Sequence, residues 1–293
     1  MESKSLSDTT LKTYQGCLKR LNENYLEQDF IDDYKEVILY LKEKYPNLSS
    51  RKTYLCAVMY QVKDKSKEAY DAYKAEIDAM RPEITKIATN QLLTKDKEET
   101  YVKWDILKKA GKKAIELYQE AKMNLGDTLI CVLYTEQAPV RADYNGMVFI
   151  RDVRQARDQK QNYCLLRVRN PCFIFNSYKT DASYGRVIIK IKPLTYTILI
   201  ARQQEMMTKG ENVLYTESQS NFSARVKEAF NKAIGKGVSI NTLRHSFITS
   251  FLNTNPSIRK KEEISKLMMN SIVLQERYRV LNEDDLDKEI IDG

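Results

Sequence analysis

The 293-residue chain has no apolar run long enough to cross a bilayer. Its start, Met1 to Leu11, is polar and charged where a secretory leader would carry an apolar stretch. Both absences lead us to expect a soluble protein that stays inside the cell. Cysteine is sparse and unpatterned: Cys17, Cys56, Cys131, Cys164 and Cys172 are odd in number, form no CxxC pair, and four of them sit in otherwise apolar runs. They read as reduced core thiols and argue against a zinc site. There is a single histidine, His245, and no carboxylate cluster suited to a pair of magnesium ions. Internal repeats and low-complexity segments are also lacking.

What the chain does have is positive charge, more than its net +8 suggests. The last thirteen residues, Leu281 to Gly293, carry six acids against one lysine and hold −5, which leaves +13 on residues 1–280. Such an excess suits a polyanionic partner, because each phosphate neutralised releases condensed counterions, and nucleic acid is the commonest polyanion. Solubility alone accounts for the same composition equally well.

The length suits two domains. From Ser7 to about Asn90 the pattern is helical throughout. Leu11, Tyr14, Leu18 and Leu21 recur at three- and four-residue steps behind a Ser7/Asp8 cap. A second helix places Ile31, Tyr34, Val37, Ile38 and Leu41 on one face and ends at Pro46 and Asn47. Ser49 or Ser50 is expected to cap a third helix through Tyr54 to Tyr60. A fourth carries Tyr70, Tyr73, Ile77 and Met80, with Pro82 bending or breaking it. Leu92 to Lys103 is polar and aperiodic and reads as a linker. The expected division is therefore a helical domain over residues 1–95 and a second domain over 96–293 that ends in the acidic tail 281–293. The second domain mixes helices from Trp104 to about Glu136, short strands, and helices to the end. Cys172 to Tyr178 and Arg186 to Ile191 form a predicted β-hairpin across KTDASYG. The fold class is thus an all-α N-terminal domain followed by an α+β C-terminal domain.

Four places in the second domain offer residue types that phosphoryl transfer needs. In TEQAPVRADY, Pro139 is expected to end one helix and start the next, placing Arg141 in a first helical turn near free backbone donors. A guanidinium presents a planar fork to two phosphate oxygens, which an ammonium does not. Lys179, at the hairpin tip, is a candidate proton donor if that tip enters a DNA groove. In SINTLRHSFITSFL, Ser239 or Asn241 caps a helix whose apolar face is Leu243, Phe247, Ile248, Phe251 and Leu252, with Arg244 pointing away from most of it. His245 beside it reads as a phosphate contact, a catalytic imidazole or, by preference, a hydrogen-bonded structural residue. In LMMNSIVLQERYRVL, Asn270 precedes Tyr278 by eight residues, enough for a turn and a short helix to bring both to one place. Taken singly, each of these residues is more often a solvated or structural side chain.

The ordered set resembles the tyrosine recombinases, or phage-type integrases: arginine in PVRxDY, lysine in a hairpin, LRHSFIT, then a polar residue eight before a tyrosine near the C-terminus. The opening LSDTTLKTYQGCLKRL is similar to the first helix of that family's core-binding domain, so the resemblance covers nearly the whole chain. The PVRADYNGM context is similar to integrases of large DNA viruses and virophages.

The resemblance implies that Arg141 and Arg244 are the paired arginines, Lys179 the general acid and Tyr278 the nucleophile. It implies a 3′-phosphotyrosine intermediate without metal or other cofactor, and double-stranded DNA as partner. It also implies four protomers in the active assembly, with the two domains clamping DNA and the end of the chain docking on a neighbouring protomer. Lys12, Lys19, Arg51 and Lys52 would supply phosphate contacts from the helical domain, although each suits a solvated face equally. Two departures stand out. Asn241 occupies the place where the family often has histidine, and Asn270 the place of its histidine or tryptophan. An amide donates a hydrogen bond to a phosphate oxygen but moves no proton. Two alternatives stay open at this stage: a type IB topoisomerase, or a DNA-binding protein of this fold without catalysis.

Overall fold

The computed structural model describes Leu6 and residues 8–24, 29–89 and 101–279. Contacts divide the chain into two compact units, residues 1–90 and 91–293.

The first unit is all helical among the described residues: α1 Asp8–Asn24, α2 Tyr34–Lys44, α3 Leu48–Val62 and α4 Lys67–Thr89. Its core contains Leu21, Val37, Leu41 and Tyr73, positions of the expected apolar spacing, together with Cys17, Leu55 and Val58. The cap of α3 is Asn47 rather than Ser49 or Ser50, because the Asn47 side chain accepts from both of those serine N–H groups at 3.1 Å. The α4 helix runs through Pro82 to Thr89. Ser7, half of the expected first cap, lies outside the described residues, as do positions 92–100 of the expected linker.

The second unit begins with α5 Trp104–Gln119 and α6 Leu125–Glu136. The α6 helix is the axis of this unit, buried on all sides from Leu125 to Thr135. Its neighbour α5 contributes Leu107, Ala110, Gly111 and Ala114, a stripe of small and apolar residues. A Cβ on Gly111 would stand 2.3 Å from Thr135 Oγ1, so only glycine lets the two helices approach this closely. Three short strands follow: β1 Val148–Ile150, β2 Tyr163–Leu165 and β3 Cys172–Phe175. A short helix, α7 Asp181–Tyr184, separates them from β4 Val187–Lys190.

The sheet order is β1-β2-β3-β4, with β1 and β2 parallel and the other pairs antiparallel. Phe173 pairs with Ile189 and Phe175 with Val187, and these four side chains face the main core. The predicted β3–β4 hairpin is present, although its connection is a long loop containing α7 and not a tight turn. Gly185 closes α7 at a φ of +62°, a conformation that favours glycine. Five helices complete the unit: α8 Pro193–Thr208, α9 Gln219–Ile234, α10 Ile240–Leu252, α11 Ile258–Leu267 and α12 Ile272–Tyr278. Val102, inside the expected linker, is buried in this unit's core. The five cysteines are free thiols, three buried and two half-buried. No helix among the described residues is long and apolar enough to cross a membrane.

Candidate active site

The chain leaves α6 at Gln137 in extended backbone and does not re-enter a helix. The expectation that Pro139 starts a new helix with Arg141 in its first turn is therefore wrong. Residues 142–146 form a turn closed by the Asn145 N–H on the Ala142 carbonyl, with Gly146 at a φ of +72°, and β1 follows. Burial of Val140 and Tyr144 decides this path, since both side chains enter the core on either side of Arg141. Arg141 is half-buried, and its carbonyl accepts from the buried Tyr134 hydroxyl at 2.7 Å.

Ser239, of the two candidates, caps α10: its side chain accepts from the Thr242 N–H. Arg244 does not point away from the apolar core as the helix pattern suggested. It is 0% exposed and is the largest fully buried side chain among the described residues. Its Nη1 donates to the Pro139 carbonyl at 2.7 Å, and both Nη1 and Nη2 lie 3.4 Å from the Met268 carbonyl. Its guanidinium carbon is 5.4 Å from the centre of the Tyr278 ring. Burial pulls this arginine below the ordinary arginine range, and the adjacent Tyr278 hydroxyl opposes the shift.

The acceptors of these arginines lie in one turn. Between α11 and α12, Met269 adopts a φ of +52°, an uncommon conformation for a bulky residue. The Met269 carbonyl accepts from Arg141 Nη1 at 3.3 Å and from Thr180 Oγ1 at 2.9 Å. Thr180 follows Lys179, so this bond ties the loop of the candidate proton donor to the turn that also engages Arg141 and Arg244. Lys179 itself is exposed. Ser271 caps α12 through the Leu274 N–H, and that helix carries Tyr278 to the side of α10. There the partly buried Tyr278 packs against the cluster of Ile248, Leu252 and Met268.

Arg141, Arg244, Tyr278 and the Lys179–Thr180 loop thus converge on the Met268–Met269 turn. Asn270 is next to it, 1% exposed, and neither its Oδ1 nor its Nδ2 has a partner among the described residues. Leaving such an amide unmade costs on the order of 1–3 kcal/mol, so its burial here calls for a compensating role. His245 is half-buried, with Nδ1 2.8 Å from the Tyr278 carbonyl. Asn241 stands exposed in the first turn of α10. In the first unit, Lys12 is exposed, Lys19 pairs with Glu23 at 3.8 Å, and Lys52 is half-buried. Arg51 donates to the Tyr45 and Pro46 carbonyls, where it closes the α2–α3 connection.

Sequence reading missed three groups. The Met268 and Met269 carbonyls act through backbone geometry, which leaves no signature in residue type, and the Thr180 hydroxyl is useful only because the fold sets it against the Met269 carbonyl. Asp143 carries a weak signal, as an acid just beyond Arg141. Its Oδ2 is shut from solvent and unpartnered, and burial pushes its carboxyl up against the opposing charges of Arg141 and Arg244. The site is cationic and built of nitrogen donors; no group of three or more metal-ligating side chains occurs among the described residues.

No family model and no curated protein matches the chain. Solved structures do. XerA recombinase is 15% identical over 98% of this chain and 92% of that one, with a TM-score of 0.44. The Tn1549 transposon integrase, in complex with transposon right end DNA, is 16% identical over 99% of this chain and 95% of that one, with a TM-score of 0.50. The likeness to the integrase establishes the fold: this chain has the tyrosine recombinase architecture, with an all-α N-terminal part and an α+β C-terminal part.

Proposed function

We propose that this chain is a site-specific DNA recombinase that cleaves and rejoins strands through a 3′-phosphotyrosine on Tyr278. The observation that carries the reading is the convergence of two arginines, one of them wholly buried, with Tyr278 and the Lys179 loop on the Met268–Met269 turn. One guanidinium beside the tyrosine and a second bonded to the same turn suit the pentavalent phosphorus of an in-line displacement, where charge builds on non-bridging oxygens. Tyr278 attacks the scissile phosphate, Arg141 and Arg244 neutralise that charge, and Lys179 protonates the departing 5′ oxygen. The phosphotyrosine conserves the energy of the phosphodiester, so a 5′ hydroxyl from a second duplex reverses the step. Asn270 would give its unused Nδ2 hydrogens to a phosphate oxygen, and Asn241 a further hydrogen bond. The helical unit, with Lys12, Lys19 and Lys52 on its surface, would hold the flanking duplex, and strand exchange between two duplexes calls for four protomers. Arg51, already committed to two carbonyls, is the weakest of the proposed phosphate contacts.

The test is trapping on a library of nicked duplexes, in which the short fragment beside the nick diffuses away and prevents religation. The expected result is a denaturation-stable adduct that maps to Tyr278, is lost in Tyr278→Phe, and is accompanied by unchanged DNA affinity in that variant. An adduct that persists in the variant moves the nucleophile elsewhere. Tight binding with no adduct from the wild-type chain favours a DNA-binding protein without catalysis, and plasmid relaxation by a monomer favours a topoisomerase.

A further inference from the structure

Between the Arg141 loop and the Lys179 loop lies a buried amide that the chemistry above does not use. Asn162, at the entry to β2, is 8% exposed. Its Oδ1 accepts from the backbone N–H groups of Asn176 and Ser177, each at 2.9 Å. Its Nδ2 donates to the Ser177 carbonyl at 2.9 Å and to the Asp143 carbonyl at 3.3 Å. One side chain therefore grips both the stretch running from β3 to Lys179 and the loop two residues beyond Arg141.

The hydrogen-bonding capacity of an amide matches this position: two lone pairs and two N–H groups, all four used. No ionisable side chain offers the same set. The bonds lie outside the strand ladder, whose β2 pairing begins at Tyr163. Asn176 extends the brace to the other side of the hairpin. Its Nδ2 donates to the Asp158 and Gln161 carbonyls, and its Oδ1 accepts from Arg186 Nε at 2.7 Å, just before β4. The exposed Lys179 is thus set by fixed backbone on both sides: Asn162 holds Ser177 before it, and Thr180 is bonded to Met269 after it.

We propose that Asn162 is a positioning residue for the proton transfer assigned to Lys179, fixing the Lys179 backbone relative to the Arg141 loop. The inference rests on the reading of Lys179 as general acid. In that step the Tyr278 hydroxyl gives up its proton to water and its oxygen bonds to phosphorus as the bond from phosphorus to the 5′ oxygen breaks. The bonding pair stays on that oxygen and takes a proton from the Lys179 ammonium, leaving a neutral amine. If sulfur replaces the bridging 5′ oxygen, it departs as a thiolate and needs no proton, so a defect in proton delivery disappears with that substrate.

The experiment compares single-turnover adduct formation on two nicked duplexes carrying the sequence trapped by Tyr278, one with a bridging 5′ oxygen and one with a bridging 5′ sulfur. Lys179→Ala is the reference variant. Asn162→Ala removes the whole brace. Asn162→Asp keeps the acceptor for the Asn176 and Ser177 N–H groups but loses both donors, so it tests the idea even if the alanine variant folds poorly. Both Asn162 variants should slow the oxygen substrate, by up to the ~10²–10⁴ that a general acid contributes, and approach wild-type rates on the sulfur substrate. Equal slowing on both substrates, with Lys179→Ala rescued by sulfur, overturns the inference alone and makes Asn162 a fold residue. Wild-type rates in the Asn162 variants overturn it too. If Lys179→Ala itself cleaves the oxygen substrate normally, the general-acid reading fails and this inference with it.

Discussion

His245 Nδ1 lies 2.8 Å from the carbonyl oxygen of Tyr278, and the two rings approach to 4.5 Å between centres. A carbonyl only accepts, so Nδ1 carries the proton in this contact. The chain's single histidine therefore holds the end of α12 against α10, beside the arginine that faces the Tyr278 ring.

His245→Ala should release this hold and slow adduct formation by about tenfold, the equivalent of one net hydrogen bond, while leaving DNA affinity unchanged. His245→Asn, which can present an N–H close to the position of Nδ1, should recover part of the rate. Single-turnover trapping of the two variants checks this, and equal rates for both would reject the hydrogen bond as the operative contact.

The paired arginines should separate in stability but not in chemistry. Arg244→Lys and Arg141→Lys keep a charge and lose the fork, and each should slow cleavage by ~10² or more. Arg244→Lys should also lower the melting temperature, because buried carbonyls at Pro139 and Met268 lose donors, at about 1–3 kcal/mol. The half-buried Arg141, with one contact at 3.3 Å, should cost less. Melting curves beside cleavage rates make the comparison, and wild-type cleavage in either variant removes it from the clamp.

Asn270 should behave in the opposite way to a structural residue. Its side-chain amide makes no hydrogen bond among the described residues, so Asn270→Ala should raise thermal stability, by up to the ~1–3 kcal/mol that the unpaired amide costs, while slowing cleavage. Asn270→His, a donor of similar reach, should keep or raise the cleavage rate. A folded Asn270→His protein that binds DNA and does not cleave would mean that this position does not face the phosphate.

Asp143 predicts a pH signature. Burial raises its folded pKa above the unfolded value of about 3.9, against the pull of Arg141 and Arg244. Its contribution to stability is then fully present below the unfolded pKa and is lost as pH rises through the folded one. Asp143→Asn should consequently melt higher than wild type at pH 7, with the difference shrinking on acidification and vanishing below about pH 4. A difference that does not change with pH would show that the carboxyl is not held in this way.

The sequence by itself determined the helices whose apolar spacing is their packing face, such as Leu18 and Leu21 in α1 or Val37 and Leu41 in α2. It also determined that α10 is capped at Ser239 or Asn241, between which the structure chose Ser239, and the existence of the β3–β4 hairpin, because periodicity and capping are local properties of residue type. It singled out Arg141, Lys179, Arg244 and Tyr278 by their order and context, and the structure brings Arg141, Arg244, Tyr278 and the Lys179 loop together. The acidic tail, residues 281–293, lies outside the described residues, so the sequence remains its whole description.

Only the tertiary structure decided how those residues meet. Pro139 looked like a helix start, yet burial of Val140 and Tyr144 on α6 holds the chain extended there. Arg244 looked outward on its own helix, yet the α11–α12 turn supplies Met268, and Pro139 comes from far along the chain, so the guanidinium is enclosed by acceptors that no helical pattern reveals. The Met269 carbonyl and the four bonds of Asn162 are invisible in the same way. They depend on where backbone atoms from separate segments come to rest, and every residue carries the same backbone atoms.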